Sequence, residues 1–517
     1  MTSTLGARAR IGLAVAAVAL TTVTVPAQRG GAPAGREPSP PNPLGQPLLD
    51  GAGLPREDAF FRVPLRPEDR KYADLDGMRM KALVNEVAAI SLKDRERTGP
   101  KGFWGRNQGT PGHLATQDWV ESQFRRYTLT DIRRQPFDVP PQWMVKDWEL
   151  TFTSGGKTYA FPSARPSAGV EATPPAGRDL EVIWVGTGAA ADYLGRDVQG
   201  KAVIIQDFLT PGVLNHSINY DQSVVRAFDR GAAAVGIVYG IADNFAVWEG
   251  TGGRPGFQIG HEDGKALRDL LGQGQPVRLK YRIDSEMRAG LESASVWGTL
   301  KGTSDEDVLI IAHMDGFFEG AIDNGSGLAV MMGLADHFAK VPPAERRRTI
   351  RFLGSVGHHA GPGTRWLHDN RDTELSKTAL IINLEHVAAV RTKNWGSRLR
   401  MTNAVSPMRW WVFGSRKLLD VALESFSRFN VGLTADMDPN ASGEMGSIER
   451  DAPSMQVITS PEVKHTEQDG PAWVPAAGLE QIARAYARIV DGINRIDRKD
   501  LLSGPAGPVT QGARGRP

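Results

Sequence analysis

The run Asp307-Val-Leu-Ile-Ile-Ala-His313 limits the fold more than any other stretch of the chain. It is apolar without alternation, so it suits a strand buried on both faces. Such a strand belongs in a parallel sheet with helices packed on either side, and therefore in an α/β fold. The run delivers His313 and Asp315 at its C-terminal end, then passes through a Gly-rich turn to Asp323. Gly325-Ser-Gly327 opens a helical pattern of Leu328, Met331, Met332, Leu334, Ala335 and Phe338. In open α/β sheets, ligands sit in the crevice outside the carboxyl ends of the strands. His313 and Asp323 are therefore the leading site candidates.

Further along the chain the arrangement repeats. Thr349 to Val356 reads as a strand leading to Gly357-His358-His359, and Ala379 to Leu384 as a buried strand ending in Glu385 and His386. Met455 to Ile458 is a final strand, followed by Lys464-His465-Thr-Glu-Gln-Asp469. A single His or Asp after a strand is commonly a loop residue satisfied by hydrogen bonds. Its recurrence at the same end of successive strands points to a metal site. The chain has no cysteine, which excludes thiolate zinc sites, disulfides and a cysteine nucleophile. An imidazole and carboxylate donor set suits zinc, or less selectively manganese or cobalt. The formal charge is +2 and the basic residues lie among acidic ones, so nothing resembles a nucleic-acid footprint.

At 517 residues the chain predicts two domains plus tails. Residues 1–27 read as a signal peptide: Arg8 and Arg10 precede the apolar run Ile11–Leu20, and Val25-Pro-Ala27 offers a cleavage site. A secreted or periplasmic location and no membrane attachment after its removal are the expectations. Residues 28–70 are rich in Pro and Gly and read as a linker. Residues 71–177 begin with helices over Met78–Ile90 and Ala115–Tyr127, then strands over Asp131–Asp138 and Trp148–Phe152. Residues 178–290 have short strands and Gly-rich turns, residues 291–500 carry the strand ends above, and residues 501–517 form a tail. Arg409 to Phe429 has helical character, and Leu479 to Ile496 is strongly amphipathic. His113 is expected at the surface, His216 and His261 at structural or surface positions, His337 and His368 in solvent, and Trp366, Trp410, Trp411 and Trp473 in packing roles. His386 follows Glu385 along an extended strand, so its side chain is expected to point away from the crevice.

Asp197 to Ile205, Ala227 to Ile237 and Gly260 to Leu271 resemble the protease-associated domain, a module often inserted in exopeptidases. His313-Met-Asp315, Gly320-Ala-Ile-Asp323-Asn-Gly-Ser-Gly327, Thr349-Ile-Arg-Phe352, Ile382-Asn-Leu-Glu385 and Lys464-His465-Thr resemble the zinc aminopeptidases and glutamate carboxypeptidase II-like exopeptidases. The resemblance covers most of residues 75–495. It implies a mixed, mostly parallel central sheet sandwiched by helices, two zinc ions, and a peptide or amide substrate cut next to a free terminus. It also implies that His313 and Glu385 hold one ion, His359 and His465 the other, and Asp323 both. Asp315 would orient the His313 ring through its carboxylate.

The chain departs from that family pattern at two places. Consecutive glutamates, a general base and a ligand, are replaced by His358-His359, and an aspartate by Glu385. His358 would then be the base, since a neutral imidazole can accept a proton. The five ligands supply two carboxylates, one fewer than the pattern. Glu444, in the polar loop Asn440–Gly446, is a candidate for the missing one. The alternatives to an exopeptidase are a non-catalytic binding protein on a peptidase scaffold and a metal-dependent acyl transferase of the glutaminyl-cyclase kind.

Overall fold

A computed structural model describes residues 54–208, 222–245, 247–248, 251–358, 361–395, 398–459 and 461–502. The expected signal peptide, the linker up to residue 53, His216, His359 and residues 503–517 lie outside the described residues.

The apolar run forms the strand Asp307–His313 at the middle of a seven-stranded sheet. Its neighbours Thr349–Ser355 and Thr378–Leu384 run parallel to it, and Ser454–Ile458 runs parallel to Thr378–Leu384. Antiparallel strands finish both sides: Arg409–Phe413 on one, Glu292–Leu300 and then Thr130–Asp138 on the other. The sheet is thus mixed, with a parallel centre.

Alternation along the central strand divides the core into two layers. Val308, Ile310 and Ala312 face one apolar cluster with residues of the helices Gly77–Thr98, Gly327–Ala339 and Ala476–Ile493. Leu309 and Ile311 face another with Trp297, Leu367, Trp411 and Met445. The helix Gly327–Ala339 is buried almost all round, as its near-continuous apolar sequence requires. It starts tight against the sheet: a Cβ at Gly327 would lie 2.2 Å from the Leu384 carbonyl oxygen. Only glycine allows that approach.

A second, eight-stranded sheet is built from residues 142–288. Gln142–Ser154 and Val277–Arg288 pair antiparallel over most of their length, from Gln142 opposite Arg288 to Ser154 opposite Val277. This ribbon continues the pairing of Thr130–Asp138 with Glu292–Leu300, in which Asp138 stands opposite Glu292. The segment therefore leaves and rejoins the first sheet at one place. Beyond the ribbon, Arg178–Trp184, Ala202–Gln206, Ala234–Val238 and Gly256–Ile259 form a parallel set.

Several local expectations change. Arg409–Phe413 is a strand, and the helix begins only at Arg416, where the Ser415 side chain caps Leu418 N. Trp410-Trp411-Val412 is an apolar run buried on both faces, and Gly414 and Ser415 separate it from the helical pattern that follows. His113 is fully buried, its Nδ1 3.3 Å from the Arg106 carbonyl, and not at the surface. His337 is buried against Asp74, at 2.8 Å. Residues of the expected linker pack on the body: Phe60 is buried with Ala477, and Asp69 accepts from Arg428. Among the described residues, no helix is long and apolar enough to cross a membrane.

Candidate metal centre

The four parallel strands of the first sheet end in one crevice. His313 closes its strand, and Asp323 comes from the short helical turn Ala321–Ser326, whose Asp323–Asn324 peptide is cis. His358 lies three residues past Ser355, Glu385 and His386 directly follow Leu384, and His465 stands in the loop after Ile458.

Asp323 is the hub. Its Oδ1 lies 3.2 Å from His313 Nε2 and 3.0 Å from His386 Nε2. Its Oδ2 lies 2.9 Å from His465 Nε2 and 3.4 Å from His358 Nε2. Each carboxylate oxygen thus faces its own pair of imidazoles. Donor atoms of His313, Asp323, His358 and His386 all lie within 4.8 Å of one another, as do those of His313, Glu385 and Glu444. His313 Nε2, Asp323 Oδ1, His386 Nε2 and Glu444 Oε1 are buried without a hydrogen-bond partner. Buried polar atoms are nearly always satisfied. A group of convergent lone pairs without donors is the chemistry of a cation site, and the residues present fit a divalent metal.

The ring of His313 is set for this. Its Nδ1 lies 2.9 Å from the backbone carbonyl of Asp315, which fixes the proton there and leaves Nε2 with its lone pair toward Asp323. The Asp315 carboxylate, expected to orient that ring, has its Oδ1 3.5 Å from His313 Nδ1, and its Oδ2 accepts from His358 N at 2.8 Å and Gln108 Nε2 at 3.1 Å. Asp315 therefore ties the His358 loop to the His313 strand. The His358 ring stacks on His313, with centroids 4.6 Å apart, and on Phe317 at 5.4 Å.

His386 does not point away from the crevice. The strand ends at Leu384, and His386 has φ +47, so the alternation of an extended strand no longer holds there. Glu385 is held by Gln456 Nε2 at 2.8 Å, and Glu444 Oε1 comes within 3.6 Å of His313 Nε2. Gly443 makes this possible: it has φ +61, and a Cβ there would lie 2.2 Å from a Glu385 carboxylate oxygen. Glu444 brings the carboxylates of the cluster to three, with Asp323 and Glu385.

The charges answer one another. Burial opposes ionisation of Asp323, but His358, His386 and His313 outweigh it and hold the carboxyl well below its usual range. Burial likewise opposes a charged His313, yet Glu444, Asp315 and Asp323 raise it well above the ordinary imidazole value. Glu385 is pushed well up, first by burial and then by Glu444 beside it. His386 is lowered by burial despite Asp323.

Two supports escaped the sequence. Arg106 is fully buried and donates to the carbonyls of Met314, Glu319 and Gly320, fixing the loop that carries Asp323. Asp469 accepts from Ile322 N at 2.8 Å and Asp323 N at 3.2 Å, and burial pushes its carboxyl up to about 7. Nothing in a Gly-rich loop signals a buried arginine. Asp469 lies four residues past His465 and was legible only as part of that polar run.

Comparison with known proteins bears on the family likeness and the fold. Residues 295–489 match the profile of Peptidase family M28. Aminopeptidase YwaD of Bacillus subtilis is 26% identical over 296 residues, which are 54% of this chain and 58% of that protein. The match thus spans little more than half the length of this curated relative. Among solved structures, a Peptidase M28 precursor from Shewanella amazonensis superposes with a TM-score of 0.62 at 17% identity, over 84% of this chain and 98% of that one. A zinc aminopeptidase from Bacillus subtilis gives 0.56 at 19% identity, over 83% and 98%. The fold is that of these structures, and residues 295–489 are similar to Peptidase family M28.

Proposed function

We propose that the protein is an exported, zinc-dependent exopeptidase of the aminopeptidase kind. The observation that carries this reading is the set of unpartnered buried atoms around Asp323 Oδ1, namely His313 Nε2, His386 Nε2 and Glu444 Oε1, with the His465 and His358 imidazoles facing Oδ2. On the Oδ1 side, His313 and His386 would hold one ion, with Glu385 and Glu444 behind them. On the Oδ2 side, His465 would hold the other. Zinc bound there would polarise a scissile carbonyl and lower the pKa of a water molecule. His358 is the proton carrier in this scheme. Its Nε2 faces Asp323 Oδ2 at 3.4 Å, and with His465 it lines the least buried side of the cluster, with side chains 4% and 10% exposed. It would take a proton from water and return it to the departing amine, a role worth about 10²–10⁴ in rate. Asp315 holds its backbone in place. The substrate would be a peptide or amide presenting a free terminus, and residues 178–290 would be the inserted protease-associated domain.

Metal analysis of the purified protein, paired with a peptide-library assay with and without chelator, tests this reading. The expected result is about two zinc ions per chain and chelator-sensitive release of a terminal residue. Full metal content with no turnover on a broad panel would reverse it. The histidine pair in place of carboxylates supports a second reading, a peptidase scaffold kept for binding. That reading expects turnover only after His358→Glu and His359→Glu are combined.

A further inference from the structure

The loop that carries His465 is held from two sides. On the inner side, the Asp469 carboxylate accepts two backbone N–H groups of the Asp323 turn, and Ala321 N donates to the Asp469 carbonyl at 3.0 Å. On the outer side, four anchors come from the segment that builds the second sheet. Tyr239 donates to the Glu462 carbonyl at 2.8 Å, and Val247 forms an isolated antiparallel bridge with Thr466. The Glu467 carboxylate oxygen Oε1 accepts from Arg165 Nε at 3.1 Å and Trp248 Nε1 at 3.0 Å.

These donors are themselves fixed. Arg165 belongs to the strand Arg165–Pro166, also donates to the Pro162 and Ala164 carbonyls, and lies over the Trp148 ring at 5.5 Å. Trp248 is 2% exposed. Its ring begins a series that runs through Phe103 at 5.5 Å and Phe317 at 5.2 Å to the edge of His465 at 4.9 Å. His465 stands between the two sides with φ +60, a left-handed conformation uncommon for residues other than glycine. A loop held only by Asp469 would have other ways to place that imidazole.

We propose that Glu467 is a positioning residue: by docking on Arg165 and Trp248 it sets where the His465 imidazole stands against Asp323. The second sheet then does more than sit beside the crevice; it determines how well one donor of the metal centre is aimed. Groups that orient metal ligands typically change affinity by about 10–100-fold when removed. The proposal rests on the reading of His465 as a metal ligand.

Cobalt titration of the apo protein, followed by visible absorption, tests it without reference to turnover. Glu467→Ala is expected to weaken cobalt binding by at least about tenfold and to alter the absorption of the loaded site, with far-UV circular dichroism unchanged. Glu467→Gln, which keeps an acceptor for Trp248, should fall between it and the wild type. The double variant Glu467→Ala, His465→Ala should bind no more weakly than His465→Ala alone, because the carboxylate acts only through that ring. If Glu467→Ala folds and binds cobalt with wild-type affinity and spectrum while His465→Ala does not, the proposal is overturned and the metal reading stands. If the wild type and His465→Ala bind cobalt equally, the metal reading of His465 itself fails. Should Glu467→Ala not fold, Trp248→Phe and Arg165→Met each remove one donor, and unchanged affinity in both overturns the proposal.

Discussion

The two sheets make an instructive pair, because both contain a buried parallel set of strands and, among the described residues, one of the two ends in a cluster of convergent imidazoles and carboxylates. Ile204 and Ile310 are equally buried at the centres of their sheets. In the first sheet, the strand ends converge on orphaned imidazole and carboxylate atoms. In the second, the acid after the strand Ala202–Gln206 is Asp207, whose carboxylate accepts from Gly240 N at 3.2 Å. A parallel sheet provides the crevice in either case. What makes a site is a surplus of acceptors over donors within it.

The largest expected contrast follows from that surplus. Asp323→Ala should remove bound metal altogether and reduce any hydrolysis to background. Asp207→Asn should leave metal content unchanged and shift stability by only about 0.5–1.5 kcal/mol, the worth of a hydrogen bond. Elemental analysis beside thermal melts checks both; metal loss in Asp207→Asn would break the comparison. Core truncation should not tell the sheets apart in cost: Ile310→Ala and Ile204→Ala should each lose about 2–5 kcal/mol in denaturant unfolding. Only the first should also loosen metal, since its strand carries His313.

How much of this was legible can be judged from particular residues. The strand Asp307–His313 and the helix beginning at Gly327 were readable because nothing but a doubly buried strand and a buried helix suits their near-unbroken apolar sequence. Asp323 was readable because a Gly-rich turn must follow the strand. His386 was not, because strand alternation was carried one residue past the point where the chain leaves the extended region, at φ +47. Glu444 was visible only as a polar-loop acid, for its approach to His313 depends on a glycine at 443 and a partner far along the chain. Residues 409–413 were misread because a five-residue strand adjoins a longer helical pattern, which dominates any window spanning both.

His386 therefore sharpens the comparison at the next level down. His386→Ala should weaken zinc by at least about tenfold, read by competition with a chromophoric chelator. Truncating His261, which lies at the start of a helix packed on the second sheet, should not. The smallest contrast is one of pH. In the metal-free protein, Glu385 and Asp469 have folded pKa values above their unfolded ones, and so does His313. Between the two values of each group the folded chain binds more protons than the unfolded chain, so stability falls as pH rises. For Asp469 the loss runs from the unfolded value near 3.8 to about 7. Between pH 5 and pH 7 these groups pull the melt of chelated protein down, while the lowered values of His386 and His113 act the other way; Glu444→Gln should remove part of the downward pull, because Glu444 raises both Glu385 and His313. A Glu444→Gln variant whose melt changes over this range just as the wild type's does would contradict the charge assignment.

The ribbon that joins the sheets has a consequence for the history of such a chain. Asp138 and Glu292 are register partners, and Val139 N reaches the Leu291 carbonyl at 3.2 Å. Everything between them could be exchanged for a tight turn, and the first sheet would keep every strand, its order and its direction. In topology the second sheet is a graft, gained or lost without rethreading. Energetically it is not, because Arg165 and Trp248 reach back across the junction to Glu467. On the role proposed for Glu467, a module removable by two cuts and one join would be part of what its host needs to hold a metal.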